Sequence, residues 1–392
     1  DTIGLSKGSS RPEANQGSFF LIMQITASAL LPYPERVISD DSIIEKIGNL
    51  WRAEKKFLVL SGPPGTGKTR AAEDFISKLI RDKLSSVGSD ECRLSSLFPE
   101  FRTKIYSDPE IRGTLQSKSI RCVWDLAVLH PQYSYEDLIR GFRAEPVQDG
   151  GVSLVVREGL LGFAARVGQI LETVDASASS APKSVVILDE INRAPIGQLF
   201  GEAIYALDRR GSNVVTPYPL GDLGPTISIP ESMLILGTMN SIDRATSGFD
   251  FALRRRFANI PILPSRTPVE KCWAKGGERI PYGVHLYDLV KGLVENSESG
   301  GNVPVSELML GHAYFLPPES CVEESEQIAW LYTSYVYQIL PTLQDYAEQG
   351  LLSFKEIDLA KLPLGNQLDS AACSSISYES GIELFKTDLR DV

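Results

Sequence analysis

Ser61-Gly62-Pro63-Pro64-Gly65-Thr66-Gly67-Lys68-Thr69 is the stretch on which the reading of this chain turns. It fits G-x-x-x-x-G-K-[ST] at every position. Before it, Lys56-Phe57-Leu58-Val59-Leu60 is a short apolar run of the kind that makes a buried strand. After it, Arg70 to Lys83 carries Ala71, Ala72, Phe75, Ile76, Leu79 and Ile80 at helical spacing. Strand, glycine-rich turn and helix together convert a pattern into a phosphate site. Gly62, Gly65 and Gly67, with Pro63, Pro64 and Thr66 between them, let the backbone wrap phosphates with its N–H groups. The helix N-terminus adds a favourable dipole. Lys68 is expected to reach the β- and γ-phosphates and the Thr69 hydroxyl to ligate Mg²⁺. The stretch implies a nucleoside triphosphate site.

The 392 residues, 43% hydrophobic and 23% charged, have ordinary globular composition and room for a sizeable core. A net charge of −11 argues against a broad basic face for nucleic acid, though a local basic loop on a ring of subunits is still compatible with DNA contact. The five cysteines, Cys92, Cys122, Cys272, Cys321 and Cys373, are scattered and form no C-x-x-C pair. That disfavours a disulfide framework or a zinc site and points to a reducing cytosol. No apolar run reaches the roughly 18 residues of a membrane span. Phe19 to Leu31 comes nearest, with only a faint likeness to a signal-peptide core. No membrane and a cytoplasmic location are therefore expected. The chain opens on Asp1 rather than Met, as a piece of a longer protein would.

Along the chain, Asp1 to Gly17 reads as polar and disordered, and Asp40 to Trp51 as a helix. Ser85 to Ser119 has weak periodicity and reads as an insertion. Arg121 to Leu129 is a second buried strand, and Ser134 can cap a helix from Tyr135. Val152 to Val156 suggests a hairpin arm, followed by a helix over 160–174 and a connector over 176–182. Ser184 to Glu190 is the strongest strand. Gln198 to Arg209 reads as helical, Val214 to Pro219 and Thr226 to Ile229 as a hairpin, Met233 to Asn240 as a buried strand, and Ala258 to Leu263 as the strand that closes the sheet. Strands alternating with helices predict an α/β fold with a parallel sheet flanked by helices. Val269–Trp273, Gly283–Val294, Ser306–Phe315 and Ser325–Glu348 then predict a small helical domain. Leu351 to Val392 reads as a tail or a partner-contacting segment.

Asp189-Glu190 follows four aliphatic strand residues about 120 residues after the phosphate loop. Asp189 is placed to hold Mg²⁺, and Glu190 to orient or deprotonate the attacking water. Asn240, at a strand tip, can reach across to the γ-phosphate. Arg254-Arg255-Arg256 cannot all face a core. They are either a solvated basic face or an arginine finger for the triphosphate of a neighbouring subunit.

These features together resemble an AAA+ ATPase, and more specifically the GTP-dependent McrB-type motors of modification-dependent restriction systems. The resemblance rests on His130-Pro131-Gln132-Tyr133-Ser134-Tyr135-Glu136-Asp137-Leu138-Ile139-Arg140-Gly141-Phe142, Leu188-Asp189-Glu190-Ile191-Asn192-Arg193-Ala194, Gly237-Thr238-Met239-Asn240-Ser241-Ile242-Asp243-Arg244 and Ala252-Leu253-Arg254-Arg255-Arg256-Phe257, then Gly311-His312-Ala313-Tyr314-Phe315. It implies water positioning by Asn240 and Asp243, fingers at Arg254 and Arg255, a homo-oligomeric ring (commonly a hexamer), a McrC-like nuclease partner and antiviral defence. The family usually has Met-Asn-Thr-Ala-Asp-Arg where Met239-Asn240-Ser241-Ile242-Asp243-Arg244 stands here. McrB-type proteins also carry a DNA-reading domain before the motor, where this chain has only about 36 residues. Either that domain was removed or the target is read through another chain. No N-K-x-D signature occurs, so GTP and ATP both stay open as substrate. His312 and Tyr314 fall where many AAA+ proteins place a nucleotide-sensing arginine. These two and His130 read equally as packing or as nucleotide contacts. The expected organisation is a tail or remnant over 1–36, the AAA+ α/β domain over 37–264, its small helical domain over 265–350, and a tail over 351–392. The rival function is a MoxR- or dynein-related ATPase that remodels protein complexes.

Overall fold

The computed structural model describes residues 41–83, 88–146, 151–174, 181–242, 255–273, 281–299, 303–355, 359, 361–364 and 377–390. Asp243, Arg254, the segment 1–36 and most of the connector 176–182 lie outside them. In chain order the strands are β1 (Phe57–Gly62), β2 (Val123–Val128), β3 (Arg140–Pro146), β4 (Val152–Glu158), β5 (Ser184–Asp189), β6 (Val214–Val215), β7 (Thr226–Ile227), β8 (Met233–Asn240), β9 (Ala258–Pro261), β10 (Glu298–Ser299) and β11 (Leu352–Ser353). Five of them form one sheet in the order β2-β5-β8-β1-β9, and every pairing in it is parallel.

β1 is buried at all six positions, and β8 at its first six. Both faces of the sheet are covered, which is why these strands read as unbroken apolar runs rather than alternating ones. Lys68–Lys83 packs on β1, β5 and β8, and Leu160–Val174 on β2 and β5. All the strands run the same way, so the loops that leave β1, β5 and β8 open at one end of the sheet. There the phosphate loop, Asp189 and Asn240 meet.

Three expectations change. The stretch read as an insertion belongs to the core: Cys92, Leu94, Leu97, Phe98, Phe101, Ile111 and Leu115 are all buried in it. Burying a large apolar side chain contributes roughly 1.5–3 kcal/mol, more than the roughly 1–2 kcal/mol of ordering one residue's backbone. Short helices at Leu94–Leu97 and Asp108–Ser117 deliver Leu94, Leu97, Ile111 and Leu115, and the second opens on a Ser107–Glu110 capping box. Gln198 to Arg209 is two short helices, Ile196–Phe200 and Ala203–Asp208, broken at Gly201 (φ 48). The stretch read as tail supplies β11, which pairs with β10, and a helix Tyr378–Arg390. Phe385 and Leu389 of that helix are fully buried with Val290, Leu331, Tyr332 and Tyr335 in a second hydrophobic core.

That second core is built on helices Arg266–Trp273, Tyr282–Glu295, Glu324–Ser334 and Leu340–Glu348. A π-helical turn, Tyr335–Ile339, joins the last two just ahead of Pro341. Proline removes a helical N–H, and a widened turn before it relieves the clash with the preceding carbonyls. Among the described residues no helix is long and apolar enough to cross a membrane. β3 and β4 form a separate hairpin whose outward face is apolar, with Phe142, Leu154 and Val152 exposed at 52%, 68% and 72%.

Candidate active site

The phosphate loop leaves β1 with Gly65 and Gly67 at φ 74 and 77, a left-handed backbone that glycine adopts without strain. Thr66 Oγ1 bonds Pro63 O at 3.0 Å, which keeps the loop closed on itself. Lys68 opens the helix Lys68–Lys83, and its Nζ donates to Gly62 O at 3.1 Å and Pro63 O at 2.8 Å. A buried ammonium needs such acceptors. Phosphate oxygens approaching the loop would compete for it.

The two expected metal ligands touch: Thr69 Oγ1 donates to Asp189 Oδ1 at 2.6 Å across 120 residues of sequence. They are hard oxygen donors at the phosphate end of the sheet. That fits Mg²⁺, which takes few protein ligands and keeps water and phosphate oxygens. Among the described residues no three or more His, Cys, Asp or Glu side chains converge into a metal cage. When bound, Mg²⁺ would offset phosphate charge, with Thr69 and Asp189 as its holders.

Asp189 and Glu190 are set by a residue that the motif reading passed over. Thr238, 2% exposed on β8, donates to Asp189 Oδ1 at 2.5 Å and accepts the Glu190 N–H at 3.2 Å. Glu190 itself stands at φ 54, ψ 46, a left-handed conformation that costs a non-glycine residue of order 1–2 kcal/mol. The Thr238 hydroxyl and the turn Ile191–Arg193 hold it there. Asn240 Nδ2 donates to Glu190 Oε1 at 2.8 Å, and Arg193 Nε lies 3.3 Å from Oε2. The carboxylate is thus aimed by Asn240 and Arg193, and its main chain is held by Thr238. Thr238 lay within the quoted Gly237-Thr238-Met239-Asn240 run, but a threonine in a β-strand carries no signal of its own.

The second core reaches the phosphate loop through main chain. Gly311 N–H donates to Pro64 O at 3.1 Å and Ala313 N–H to Gly65 O at 3.0 Å. A Cβ on Gly311 would stand 2.0 Å from the Gly65 carbonyl carbon, so only glycine permits the approach. The Tyr314 ring covers Gly65, 2.9 Å from where a Cβ there would stand. His312 is buried beside the loop, and burial pushes its pKa down to about 4. His130 sits elsewhere: it is exposed, with its ring 5.7 Å from that of Tyr133. His285 Nδ1 donates to Leu389 O, 3.0 Å away, and fastens the Tyr378–Arg390 helix.

The arginines separate by role. Arg256 makes a two-pronged ion pair with Asp208, Nε–Oδ1 2.8 Å and Nη2–Oδ2 2.5 Å. The hydrogen bond from Arg256 holds the Asp208 carboxyl below the usual range. Phe257 packs on Phe57 at 4.0 Å between ring centroids. Arg255, between Arg256 and the undescribed Arg254, is exposed.

Residues 114–257 match the family described as AAA domain (dynein-related subfamily). That span includes Asp189, Glu190, Asn240 and the arginines, and it begins after the phosphate loop. With the phosphate loop ahead of it and the five-stranded parallel sheet, the chain has the AAA+ P-loop fold. It is 28% identical over 302 residues to the type IV methyl-directed restriction enzyme EcoKMcrB subunit of Escherichia coli (strain K12), a match covering 74% of this chain and 54% of the relative. The AAA+ chain therefore spans about half the length of that curated protein. Among solved structures, a Cytophaga hutchinsonii protein provisionally named an ATPase matches with 12% identity and a TM-score of 0.30, covering 89% of each chain. NtrX from Brucella abortus matches with 10% identity and a TM-score of 0.32, covering 95% of this chain and 72% of its own. Scores that low carry no weight in the assignment.

Proposed function

We propose that this chain is the motor subunit of a McrB-type restriction system, hydrolysing GTP within a homo-oligomeric ring and driving a McrC-like nuclease in antiviral defence. Lys68 and the loop N–H groups bind the β- and γ-phosphates. Glu190, aimed by Asn240 and Thr238, orients the attacking water and takes its proton, and Asp243 assists in placing that water. Arg254 and Arg255 belong to the phosphates of the next subunit.

The register of β9 carries the ring reading. Ala258 pairs with Leu58, so Arg255 lies below the start of β1, while the phosphate loop begins at Gly62. The four residues from Leu58 to Gly62 alone span about 13 Å, and the arginine lies further down. Its side chain cannot reach its own phosphate loop. A finger in that position serves a neighbour, as in NTPases whose arginine is supplied in trans. DNA contact, on this proposal, comes through another domain or partner, since the chain's net charge is −11.

The second reading, an ATPase that remodels protein complexes, is favoured by the dynein-related description of the matched family. Hydrolysis of GTP and ATP by the purified chain with Mg²⁺ separates the two, with Glu190→Gln run alongside. GTP is expected to be the better substrate. Glu190→Gln should bind it with near wild-type affinity and turn it over about 10²-fold or more slowly. ATP turnover without measurable GTP binding would overturn the McrB-type reading. Wild-type turnover by Glu190→Gln would overturn the role given to Glu190.

A further inference from the structure

Side chains along β3 and β4 alternate between two faces. On one of them Phe142, Ala144 and Pro146 stand opposite Val156, Leu154 and Val152, and none of the six carries a charge. Five are exposed, and Val156 is half-buried. The other face holds Arg143, Glu145, Ser153 and Arg157 around Val155. There Arg157 grips both Glu145 oxygens, at 2.8 and 2.7 Å, and Arg143 pairs with Asp137 of the helix Tyr135–Leu138. The hairpin thus turns its charges toward that helix and its apolar side to water, the reverse of a sheet with one solvated face. An uncovered apolar face of this kind marks an interaction site. With no cation on it, it does not suit a phosphate backbone.

The apolar surface runs on from the hairpin. Phe142 meets the Tyr218 ring edge-on, with 5.4 Å between centroids. Tyr218 follows β6, whose Val215 is 68% exposed, and β6 packs on the helix Ala203–Asp208. On that helix Tyr205, 63% exposed, stands one turn before Asp208 and therefore on the same side. Asp208 is the residue that Arg256 grips, and the charge of Arg255 joins that hydrogen bond in holding its carboxyl low. The band therefore ends at the foot of the arginine run. Its hairpin part, seven residues long at roughly 3.4 Å each and two strands wide at about 4.8 Å, offers about 240 Å². A stable interface takes about 800 Å² per partner, so this face extends a larger contact and does not hold a pair alone.

We infer that the band from Leu154 through Phe142 and Val215 to Tyr205 packs on a second copy of this chain, within the subunit interface to which Arg255 is offered. The inference rests on the ring reading and goes beyond it by giving the β3–β4 hairpin a part in assembly.

Sedimentation of the full chain over a concentration series, with Mg²⁺ and a GTP analogue that resists hydrolysis, tests it. Leu154→Lys puts a charge on the apolar face, Tyr205→Ala truncates the far end of the band, and Ser153→Lys puts the same charge on the opposite face. Leu154→Lys should raise the concentration needed for assembly at least about tenfold, because the ammonium must be desolvated in the contact. Tyr205→Ala should shift it in the same direction, and Ser153→Lys should leave it at the wild-type value. Nucleotide affinity of the dilute chain and the unfolding midpoint should not change, since Leu154 and Tyr205 are exposed in the single chain. If Leu154→Lys lowers the midpoint, Tyr205→Ala decides. Wild-type assembly by both Leu154→Lys and Tyr205→Ala overturns the inference and leaves the ring reading standing. Equal weakening by Ser153→Lys overturns it as well, by showing that the effect is not confined to the apolar face. Normal assembly with lost capture of a co-expressed McrC-like nuclease assigns the face to that partner and overturns the occupant named here. A wild-type chain that stays monomeric throughout overturns the ring reading and this inference together.

Discussion

Thr238 shows how one hydroxyl outside the named motif residues can organise a site. It donates to the Asp189 carboxylate and accepts from the Glu190 main chain, which places both acids relative to β8. Valine has the same shape without the hydroxyl, so Thr238→Val leaves a buried N–H and a buried carboxylate oxygen each short of a partner. Each such loss costs roughly 1–3 kcal/mol. Turnover is expected to fall roughly tenfold or more while nucleotide affinity, set by the loop, moves by less than about threefold. Steady-state hydrolysis beside a fluorescent-nucleotide titration reads the two separately. Unchanged turnover would mean that Glu190 holds its left-handed backbone without this hydroxyl.

Among the elements, the segment Gly311–Phe315 joins the phosphate loop to the second core. Two N–H groups of this segment complete the phosphate loop's carbonyls, and Ser334 Oγ bonds Tyr314 O at 2.7 Å to tie the segment back to the second core. The loop and the helices behind it are thus linked by a short chain of hydrogen bonds. Gly311→Ala tests this coupling, because its methyl group would stand 2.0 Å from main chain that cannot yield. Overpacking of this kind costs about 1–3 kcal/mol. Nucleotide Kd is expected to weaken at least about tenfold as the two units part. Thermal unfolding with and without nucleotide measures both effects. A variant that binds as tightly as wild type would show that the loop keeps its shape unaided.

At the scale of the whole molecule, the proposed ring makes turnover depend on assembly, with the exposed Arg255 offered to a neighbouring subunit. Arg255→Ala should spare nucleotide binding and cut turnover by about 10³-fold or more, the scale of fingers supplied in trans. Lys68→Ala should lose binding instead. Mixed, the two variants should recover part of the activity, since an interface pairing an intact loop with an intact finger can form. Absence of recovery, with co-assembly demonstrated by co-purification, would count against action between subunits. The pin from Arg256 to Asp208 fixes the last arginine of the Arg-Arg-Arg run within its own chain.

The local code of this chain determined its strands and its chemistry. Phe57–Gly62, Ser184–Asp189 and Met233–Asn240 are apolar runs ended by polar residues, a pattern short enough to be read without tertiary knowledge. The spacing Gly62-x-x-x-x-Gly67-Lys68-Thr69 specifies a phosphate loop for the same reason: its hydrogen bonds close within nine residues. What required the folded molecule was every contact made across sequence. Thr69 and Asp189 meet 120 residues apart only because β1 and β5 flank β8 in one parallel sheet. The stretch 88–118 looked like an insertion because its apolar residues follow no single period, and burial against Leu160–Val174 decided otherwise. The helix Tyr378–Arg390 read as tail because one amphipathic stripe among polar residues does not say which surface will cover it. Which arginine is pinned by a two-pronged ion pair depended on where Asp208 comes to lie. Local pattern records propensity and chemistry; side-chain partners are chosen by packing, which no window of sequence contains.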